Sequence, residues 1–457
     1  MAVPRIAIVA AMCGVAVSTM STRATAETYY INSRIGNDSS AGTTKEAAWR
    51  SLANLETRTF TPGDSILFAK GTTYTGGVHF TSSGTAERRI VLASYSMSAD
   101  IVRSVDRTHI GAMIPLYGAG RMPSFSNPDW NVFNGNVFQI DGSFVVIDGL
   151  YFHDNANPPG SDRVNRNVQK MGAIYLALGT HHNEVRNCEF SNTPVGIKVK
   201  GTHTLITRNY LHDAYEPMAQ SWGPIAIMVV TPYNEISYNT ITNYGSYGGP
   251  YGSDGGVIEL DGVDMAFDGR NVNIHHNVSI NNHGFVELAG RKVDSITIAY
   301  NLSDDRNQFL GGGSMTNVRV LNNTVVRTRE PNIDRYVFWT FAVDTTKVTV
   351  RNNIFVIAPD LKVLGPIQKQ VPRQRAPIGN QVHDHNLYFS PGNADPIGIP
   401  AGKGELIANP MFVDFANRNF RLSEKSPARK RGVPVGYTTD LDGRTVPARA
   451  PSLGAYQ

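Results

Sequence analysis

Two seven-residue segments of the chain are nearly identical, and each carries a glutamate near its centre. They read GVIELDG over residues 256–262 and GFVELAG over residues 284–290. Because side chains alternate along a β-strand, the apolar neighbours of Glu259 and Glu287 predict that both carboxylates point away from the core. If the two strands lie side by side in a parallel sheet, about 4.8 Å apart, their carboxylates meet.

A carboxylate pair at that spacing destabilises a fold unless something compensates its charge. The two groups can share a proton, which raises the pKa of one and makes an acid/base or acid/nucleophile pair. A Ca²⁺ ion can bridge them, because it selects hard oxygen ligands. Alternatively, nearby cations neutralise the pair without any chemistry, and the cations of this stretch are Lys198, Lys200, Arg291 and Lys292.

Similar strands precede the two segments and extend the outward-facing column. Its central residues, in chain order, are Tyr175, Lys198, Met228, Glu259 and Glu287. One step further along the strands, the next outward positions hold Lys200 and Asp261. The pattern therefore predicts a charged outer face on one sheet, with Asp261 close to the carboxylate pair.

A second repeat predicts how these strands are stacked. Six short β segments end in asparagine, at positions 209, 239, 277, 301, 323 and 353, which lie 30, 38, 24, 22 and 30 residues apart. Cys188 and Leu150 occupy the same position one and two copies earlier, and Asn386 one copy later. Short coils separated by insertions of variable length are typical of a β-solenoid, in which each coil buries its inner face against its neighbours.

An asparagine at the same bend of every coil has a clear structural role. Its amide can satisfy buried backbone groups and can stack on the amides of neighbouring coils. The alternative interpretation is a β-sandwich with frequent asparagine turns.

Aromatic residues cluster in the insertions around the carboxylate strands. A Tyr- and Gly-rich insertion over residues 243–252 contains Tyr251, and the preceding insertion contains Trp222. Aromatic faces beside carboxylates suit sugar rings, although the same rings can simply pack the loops together. His283 directly precedes the Glu287 strand and is a candidate general acid or base. The other histidines lack the spacing of a zinc site and are interpreted as structural.

The overall composition excludes several classes of protein. The chain has 457 residues and a formal net charge of +4, with 41% hydrophobic and 18% charged residues, which fits neither a disordered chain nor a nucleic-acid-binding protein. Residues 1–26 have the features of a cleaved signal peptide: Arg5, an apolar run over residues 6–17 that is too short to span a bilayer, and a small-residue Ala-Thr-Ala ending. We therefore expect a secreted or periplasmic monomer without a further membrane span. Cys188 is then its only cysteine, which excludes an internal disulfide.

The chain resembles the secreted proteins of the pectate-lyase-like superfamily over roughly residues 28–457. The resemblance rests on cap motifs at its two ends: Tyr29-Tyr30-Ile31, Trp49-Arg50-Ser51-Leu52, Pro62-Gly63-Asp64, Asn409-Pro410, Ser426-Pro427 and Leu453-Gly454-Ala455-Tyr456. It implies an all-β fold, a right-handed parallel β-helix with N- and C-terminal caps. We expect the N-terminal cap and first coils over residues 27–139, the β-helix core over 140–390 and the C-terminal cap over 391–457.

This resemblance implies a secreted enzyme that cleaves the glycosidic bonds of a polysaccharide. In a hydrolase, Glu259 and Glu287, with Asp261 nearby, would serve as acid and as nucleophile or base. Carboxyl groups about 5–5.5 Å apart predict retention of configuration, and wider ones inversion. No cofactor is expected for this reaction. Substrate contacts are expected from Lys198, Lys200, Arg291, Tyr175, Tyr251 and Trp222, and the lysines favour an acidic glycan.

The alternative is a calcium-dependent lyase that acts by β-elimination. Residues 284–292 are similar to the calcium and lysine segment of the alginate lyase and chondroitinase B family. The similarity implies that Asp254, Glu259 and Glu287 bind Ca²⁺ and that Lys292 abstracts a proton from the sugar. The chain has Phe285 where that family has a further glutamate, and glycines at 311–313 where an arginine is expected. A third possibility is a non-catalytic glycan-binding or adhesin β-helix.

Overall fold

A computed structural model describes residues 25–96, 122–158, 168–216, 223–246, 254–261, 269–290, 293–313, 315–329, 336–340, 347–365, 376–377 and 381–457. The predicted signal peptide lies outside these ranges except for its last two residues. Helical structure is limited to α1, Ala53–Thr57, and the short 3-10 segments Phe133–Gly135 and Val168–Lys170 within the described ranges. None of these helices is long and apolar enough to cross a membrane.

The strands, numbered β1–β39 in chain order, form three long sheets. Sheet A has 12 strands: β1 Thr28–Ile31, β2 Ser65–Ala69, β5 Ile90–Tyr95, β8 Val145–Asp148, β11 Glu184–Arg186, β14 Leu205–Thr207, β17 Glu235–Ser237, β21 Asn273–His275, β25 Thr297–Ala299, β29 Val318–Leu321, β32 Val348–Arg351 and β35 Gln381–Asp384.

Sheet B also has 12 strands: β3 Thr73–Thr75, β6 Ser124–Ser126, β9 Tyr151–His153, β12 Glu189–Ser191, β15 Tyr210–Ala214, β18 Thr240–Tyr244, β22 Val278–Ile280, β26 Leu302–Asp304, β30 Thr324–Arg327, β33 Ile354–Ile357, β36 Leu387–Phe389 and β37 Leu406–Ile407. Sheet C has eight: β4 Val78–Phe80, β7 Phe138–Ile140, β10 Ile174–Leu176, β13 Val195–Val199, β16 Ile225–Val229, β19 Gly256–Leu260, β23 Val286–Leu288 and β27 Leu310–Gly312.

The remaining strands form three small sheets. A three-stranded parallel sheet lies between sheets C and A along the chain, and two antiparallel pairs complete the set. Their members are β20 Gly269–Arg270, β24 Val293–Asp294 and β28 Met315–Thr316; β31 Trp339–Thr340 with β34 Ala376–Pro377; and β38 Phe412–Asp414 with β39 Asn419–Leu422.

The topology of the three long sheets confirms the predicted fold. In the central coils the chain passes through sheets C, A and B in turn, and each strand pairs in parallel with the equivalent strand of the next coil. Such crossover connections are right-handed in nearly all proteins. The molecule is therefore a right-handed parallel β-helix. The domain boundaries at residues 139/140 and 390/391 stay predictions.

Inward-facing side chains form one apolar column inside the β-helix. Equivalent residues of sheet A, such as Val185, Ile206 and Ile236, are fully buried one above the other. Aromatic rings stack in the same way in sheet B, where the ring centroids of Phe152 and Phe190 are 5.0 Å apart. Since no coil covers its own inner face, the core depends on the coils above and below each one.

The corner between sheets A and B confirms the asparagine pattern. Seven asparagines, from Asn209 to Asn386, form a ladder of buried amides, and each rung accepts hydrogen bonds from the rung before it. The Asn277 Oδ1 accepts from the backbone N–H and from the side-chain amide of Asn239, both at 3.0 Å. The Asn277 Nδ2 in turn donates to the carbonyl of Ile236 at 2.9 Å.

The same corner has a constant length. In all nine coils from β8 to β36, two residues connect the sheet A strand to the sheet B strand. The first of the two has a positive φ, as in Tyr238 at 57° and His276 at 56°, and the chain bends there from sheet A into sheet B. The second is the ladder residue, or Cys188 or Leu150 in the first two coils. Cys188 joins the ladder through its backbone N–H, which donates to the Asn209 Oδ1 at 3.0 Å.

The C-terminal segment returns along this corner, where it covers the ladder from outside. The Tyr437 hydroxyl donates to the Asn273 Oδ1 at 2.9 Å, and its ring packs against those of His276 and Tyr300. At later coils, the Asn322 amide donates to two carbonyls of residues 452–454. The segment therefore ties together several coils along this corner.

Candidate active site

The two predicted carboxylates lie side by side on sheet C. Glu259 of β19 is in register with Glu287 of β23. Met228 of β16 lies on one side of the pair and Gly311 of β27 on the other. Neighbouring strands lie about 4.8 Å apart, so the two side chains can reach each other. Both glutamates are partly exposed, whereas the apolar residues beside them point into the core.

Glycines form the floor beside the pair. Gly256 has a φ of +141°, and a Cβ there would lie only 2.7 Å from the carbonyl oxygen of Gly284. The close approach of the two coils therefore requires a glycine at position 256, which opens the first repeated segment. Together with Phe285 and Gln308, these glycines line a hollow of about 10 Å³, which has room for one water molecule. A larger ligand must lie on the outer side of the carboxylates.

Burial and like charges act together on Glu259. Burial raises the pKa of this carboxyl well above its usual range, and the charges of Glu287, Asp261 and Asp254 raise it further. Lys198 acts in the opposite direction but does not outweigh these effects. Glu259 therefore keeps its proton at a pH at which an ordinary glutamate has lost it. A protonated carboxyl beside a second carboxyl group is the arrangement of an acid–base pair.

Asp261 and Asp254 lie near the two ends of the Glu259 strand. Asp261 is 7% exposed, and its backbone N–H donates to the carbonyl of Val229 at 3.1 Å. The backbone of Asp254 pairs with that of Ser246 through two hydrogen bonds, which close the insertion before β19. In the described part of the chain, no three acids, histidines or cysteines are grouped so that they could hold a metal ion. The predicted calcium ligands Asp254, Glu259 and Glu287 do not form such a group.

The two lysines of the outward column are buried. Lys198 is fully covered, and its ammonium donates to the Gln169 Oε1 at 2.8 Å and lies 2.7 Å from the Met228 Sδ. Lys200 is 6% exposed, and its ammonium lies 5.4 Å from the centre of the partly exposed Tyr175 ring. Both lysines therefore lie beneath the surface of the outer face, and the charge of Lys198 acts on Glu259 from there.

His283 lies at the edge of the site, 3% exposed. Its Nε2 is 3.3 Å from the Asn307 Nδ2, and its backbone N–H donates to the carbonyl of Tyr244 at 2.8 Å. His283 therefore lies at the corner where sheet B leads into sheet C, one residue before Gly284, and its imidazole contacts Asn307.

A buried guanidinium below His283 was not predicted from the sequence. Arg327 is fully buried and donates to the carbonyls of Asn307 and Gln308, and it lies 3.8 Å from the Asp305 carboxylate. Burial lowers the pKa of Arg327 to about 10. Asp305 in turn accepts from the backbone N–H of Asn282 at 2.9 Å. This network fixes the loop that carries Asn307 and Gln308, and no local sequence pattern indicates it.

Trp339 is a second residue that sequence reasoning missed. Phe338 pairs with Leu310, so Trp339 falls above Gly311 in the outward column, and it is fully buried. A Cβ on Gly311 would lie 2.3 Å from the indole ring. The lyase similarity predicts an arginine on this coil. The coil instead has Gly311, which leaves room for the Trp339 ring. Trp222, Tyr251, Arg291 and Lys292, all predicted as site residues, lie outside the described residues.

Comparisons with known proteins identify the fold. No protein-family model matches the sequence, and no curated protein is detectably similar to it. The structure of pectate lyase Pel9A is similar, with a TM-score of 0.56 and 16% identity over 95% of this chain and 96% of that one. XylC, solved in complex with xylose, has a TM-score of 0.55 and 13% identity over 94% of this chain and 98% of its own. The molecule thus has the β-helix fold of the pectate-lyase-like proteins.

Proposed function

We propose that this protein is a carbohydrate-active enzyme that hydrolyses glycosidic bonds, with Glu259 and Glu287 as its catalytic pair. The observation that carries the proposal is the raised pKa of Glu259 beside the in-register Glu287. Glycoside hydrolysis needs one protonated and one ionised carboxyl group. The similar structures support a carbohydrate substrate, since one is a pectate lyase and the other was solved with xylose.

The roles of the two glutamates follow from their electrostatics. Glu259 is the acid, because it retains the proton that the leaving oxygen of the glycosidic bond requires. The reaction then requires Glu287 as the ionised partner, which attacks the anomeric carbon or activates a water molecule. The strand spacing of about 4.8 Å brings the carboxyl groups close to the 5–5.5 Å of retaining enzymes, so we propose retention of configuration.

A calcium-dependent lyase is the less well supported alternative. In its favour, one of the similar structures is a lyase, pectate lyase Pel9A. Asp254, Glu259 and Glu287 are not among any group of described residues that could hold a metal ion, so calcium has no role in the proposed reaction. The predicted base Lys292 lies outside the described residues. Secretion and the monomeric state stay predictions.

The proposal is tested by incubating the purified protein with a panel of acidic and neutral polysaccharides and oligosaccharides. New reducing ends without absorbance near 235 nm are expected, because hydrolysis leaves no unsaturated sugar. Glu259→Gln and Glu287→Gln should each lower the rate by about 10³-fold or more, because each removes half of a carboxylate pair that acts as a unit. The exposed Glu424→Gln, in the C-terminal region, is the matched control and should retain full activity.

Three results would contradict the proposal. Reducing ends together with the 235 nm chromophore would mean elimination, which a calcium chelator should then abolish. Glycan binding without any product, unchanged in Glu259→Gln, would mean a binding protein or adhesin. Activity that survives both glutamate substitutions would place the catalytic centre elsewhere in the chain.

A further inference from the structure

The carboxylate pair lies between two covered stretches of the outward column. Lys198 and Met228, on the two preceding coils, are fully buried, and so is Trp339, which lies on Gly311 of the following coil. Between them, only the two glutamates are partly exposed. The exposed stretch is therefore two coils long, which corresponds to about 10 Å along the axis of the β-helix.

The covering on the N-terminal side is a well-packed apolar wall. Val168 and Met171, which belong to the insertion before β10, are buried in one cluster with Met228 and two neighbouring strand residues. Trp130 packs against the same cluster. The Gln169 amide oxygen accepts from Lys198, which holds the insertion down on sheet C. A polymer that runs along the axis would meet this wall directly beyond Glu259.

The covering on the C-terminal side is the indole of Trp339. Its strand, β31, is paired with β34, which comes from a distant part of the chain. The ring also lies in direct contact with Gly311, so it cannot move toward the sheet. The same polymer would therefore be stopped directly beyond Glu287.

A third side is closed by the corner between sheets B and C. His283 and Gln308 are 3% and 2% exposed there, and the Arg327 network holds Gln308 in place. On the fourth side, toward sheet A, Ala289 is exposed. Among the described residues, the site is thus open at its outer surface and toward Ala289 only.

We infer that the enzyme attacks the ends of sugar chains, because the wall at Met228 and the wall at Trp339 leave no continuous groove through the carboxylate pair. This inference rests on the proposed hydrolysis. In the reaction, water is added across one glycosidic bond: a proton goes to the leaving oxygen and a hydroxyl group to the anomeric carbon. In an internal bond of a long chain, further sugars would extend in both directions from the two that flank the bond, and the two walls block both directions along the axis. At a chain end, the terminal sugar can lie between the walls while the rest of the chain leaves through the open outer surface.

The inference is tested with a polysaccharide that the protein cleaves, labelled with a fluorophore at its reducing ends and separated by size at early reaction times. Attack at chain ends should produce very short fragments and slowly shortening long chains, with few labelled chains of middle length. The viscosity of the solution should fall only slightly for each bond that is cleaved, because the long chains stay long. Abundant middle-length labelled chains at early times would overturn the inference and leave the proposed function intact. No cleavage of any polymer or oligosaccharide would overturn both.

A matched pair of variants tests the wall itself. Trp339→Phe shortens the wall beside Glu287, whereas Trp49→Phe makes the same change at a fully buried tryptophan of the N-terminal region. We expect Trp339→Phe alone to raise the share of middle-length fragments. Identical fragment patterns for the two variants would show that Trp339 does not close the site. Cooperative thermal unfolding of both variants above the assay temperature would confirm that the comparison concerns folded proteins, since a smaller buried ring lowers stability in each.

Discussion

Glu259 is held in an environment that opposes its charge. Its raised pKa comes from burial and from three acidic neighbours, and Lys198 compensates only in part. A carboxyl group whose pKa is raised by folding stabilises the protein below its ordinary pKa, and this contribution is lost as the pH rises through the folded value. The pair is therefore a cost to stability at neutral and alkaline pH, as is common at catalytic sites.

We predict that Glu259→Gln stabilises the protein while abolishing activity. Glutamine keeps the shape of the side chain and removes the charge that burial and Glu287 disfavour. At pH 8 the free energy of unfolding should rise by on the order of 1 kcal/mol, and at pH 4 the difference should shrink toward zero. Urea unfolding of both proteins at the two pH values measures the effect.

The exposed Glu424→Gln is again the control. It should change the free energy of unfolding by less than about 0.5 kcal/mol at either pH. A Glu259→Gln variant that is less stable than the native protein at pH 8 would contradict the electrostatic account, because it would mean that the carboxylate is favourably solvated or paired.

The placement of single residues could be predicted only in part. Strand alternation and the repeated glycines correctly predicted that Glu259 and Glu287 lie side by side, because both patterns are local in the sequence. The burial of Lys198 could not be predicted, because the insertion that covers it lies about one coil earlier in the chain and has no periodic pattern. Trp339 was missed for a similar reason, since it enters the column from the next coil.

The asparagine ladder is the element on which the stacking of coils depends most directly. Each rung connects its own coil with both neighbours: the Asn277 amide oxygen accepts from Asn239 of the preceding coil, and its amide donates to Asn301 of the following coil. All rungs from Asn239 onward are fully buried, so a lost hydrogen bond cannot be replaced by one to bulk water. The ladder therefore ties its coils into one cooperative unit.

We predict that Asn277→Ala lowers the free energy of unfolding by about 2–4 kcal/mol, because the backbone N–H of Asn239 and the carbonyl of Ile236 lose their partner in a buried environment. Thermal and urea unfolding should both show the loss. The exposed Asn131→Ala removes an amide that contacts only Asp129 and should change stability by less than about 0.5 kcal/mol. Equal effects of the two substitutions would show that the ladder adds no stability beyond ordinary surface contacts.

The elements themselves were predictable where the sequence repeats. The asparagine spacing predicted the corner between sheets A and B, because that corner is two residues long in all nine coils from β8 to β36. The other two corners vary in length from coil to coil, so their sequence carries no repeat. The network of Arg327 with Asp305 and Asn282 lies at one of them and connects residues that no sequence period relates.

At the scale of the whole molecule, the C-terminal segment acts as a strap. It joins the last coils to coils near the middle through Tyr437, His276 and Asn322. The His276 Nε2 donates to the carbonyl of Thr439 at 3.0 Å, and burial lowers the pKa of this imidazole to about 4. His276 is therefore neutral under the strap at neutral pH.

We predict that acid weakens the strap. A histidine whose pKa is lowered by folding stabilises the protein above its ordinary pKa, and this contribution is lost as the pH falls through the folded value. Between pH 7 and pH 4.5 the native protein should lose about 2–3 kcal/mol more than His276→Gln, which keeps a donor for Thr439 but does not titrate. Urea unfolding at both pH values measures the difference.

Tyr437→Phe provides the control for this experiment. It removes the hydrogen bond to Asn273 but keeps the ring over His276, so it should lower stability at both pH values and retain the native pH dependence. Parallel pH profiles for the native protein and His276→Gln would show that His276 does not couple the strap to pH.

The constant two-residue corner also determines where this molecule can change over evolution. One edge of the β-helix is fixed by the ladder and covered by the strap, so insertions there would break the alignment of successive coils. The other two edges accept insertions of different lengths, and both border sheet C. Loops can therefore be gained, lost or transplanted around Glu259 and Glu287 while the scaffold beneath them stays in place. The edge that holds the coils together thus lies opposite the sheet that carries Glu259 and Glu287.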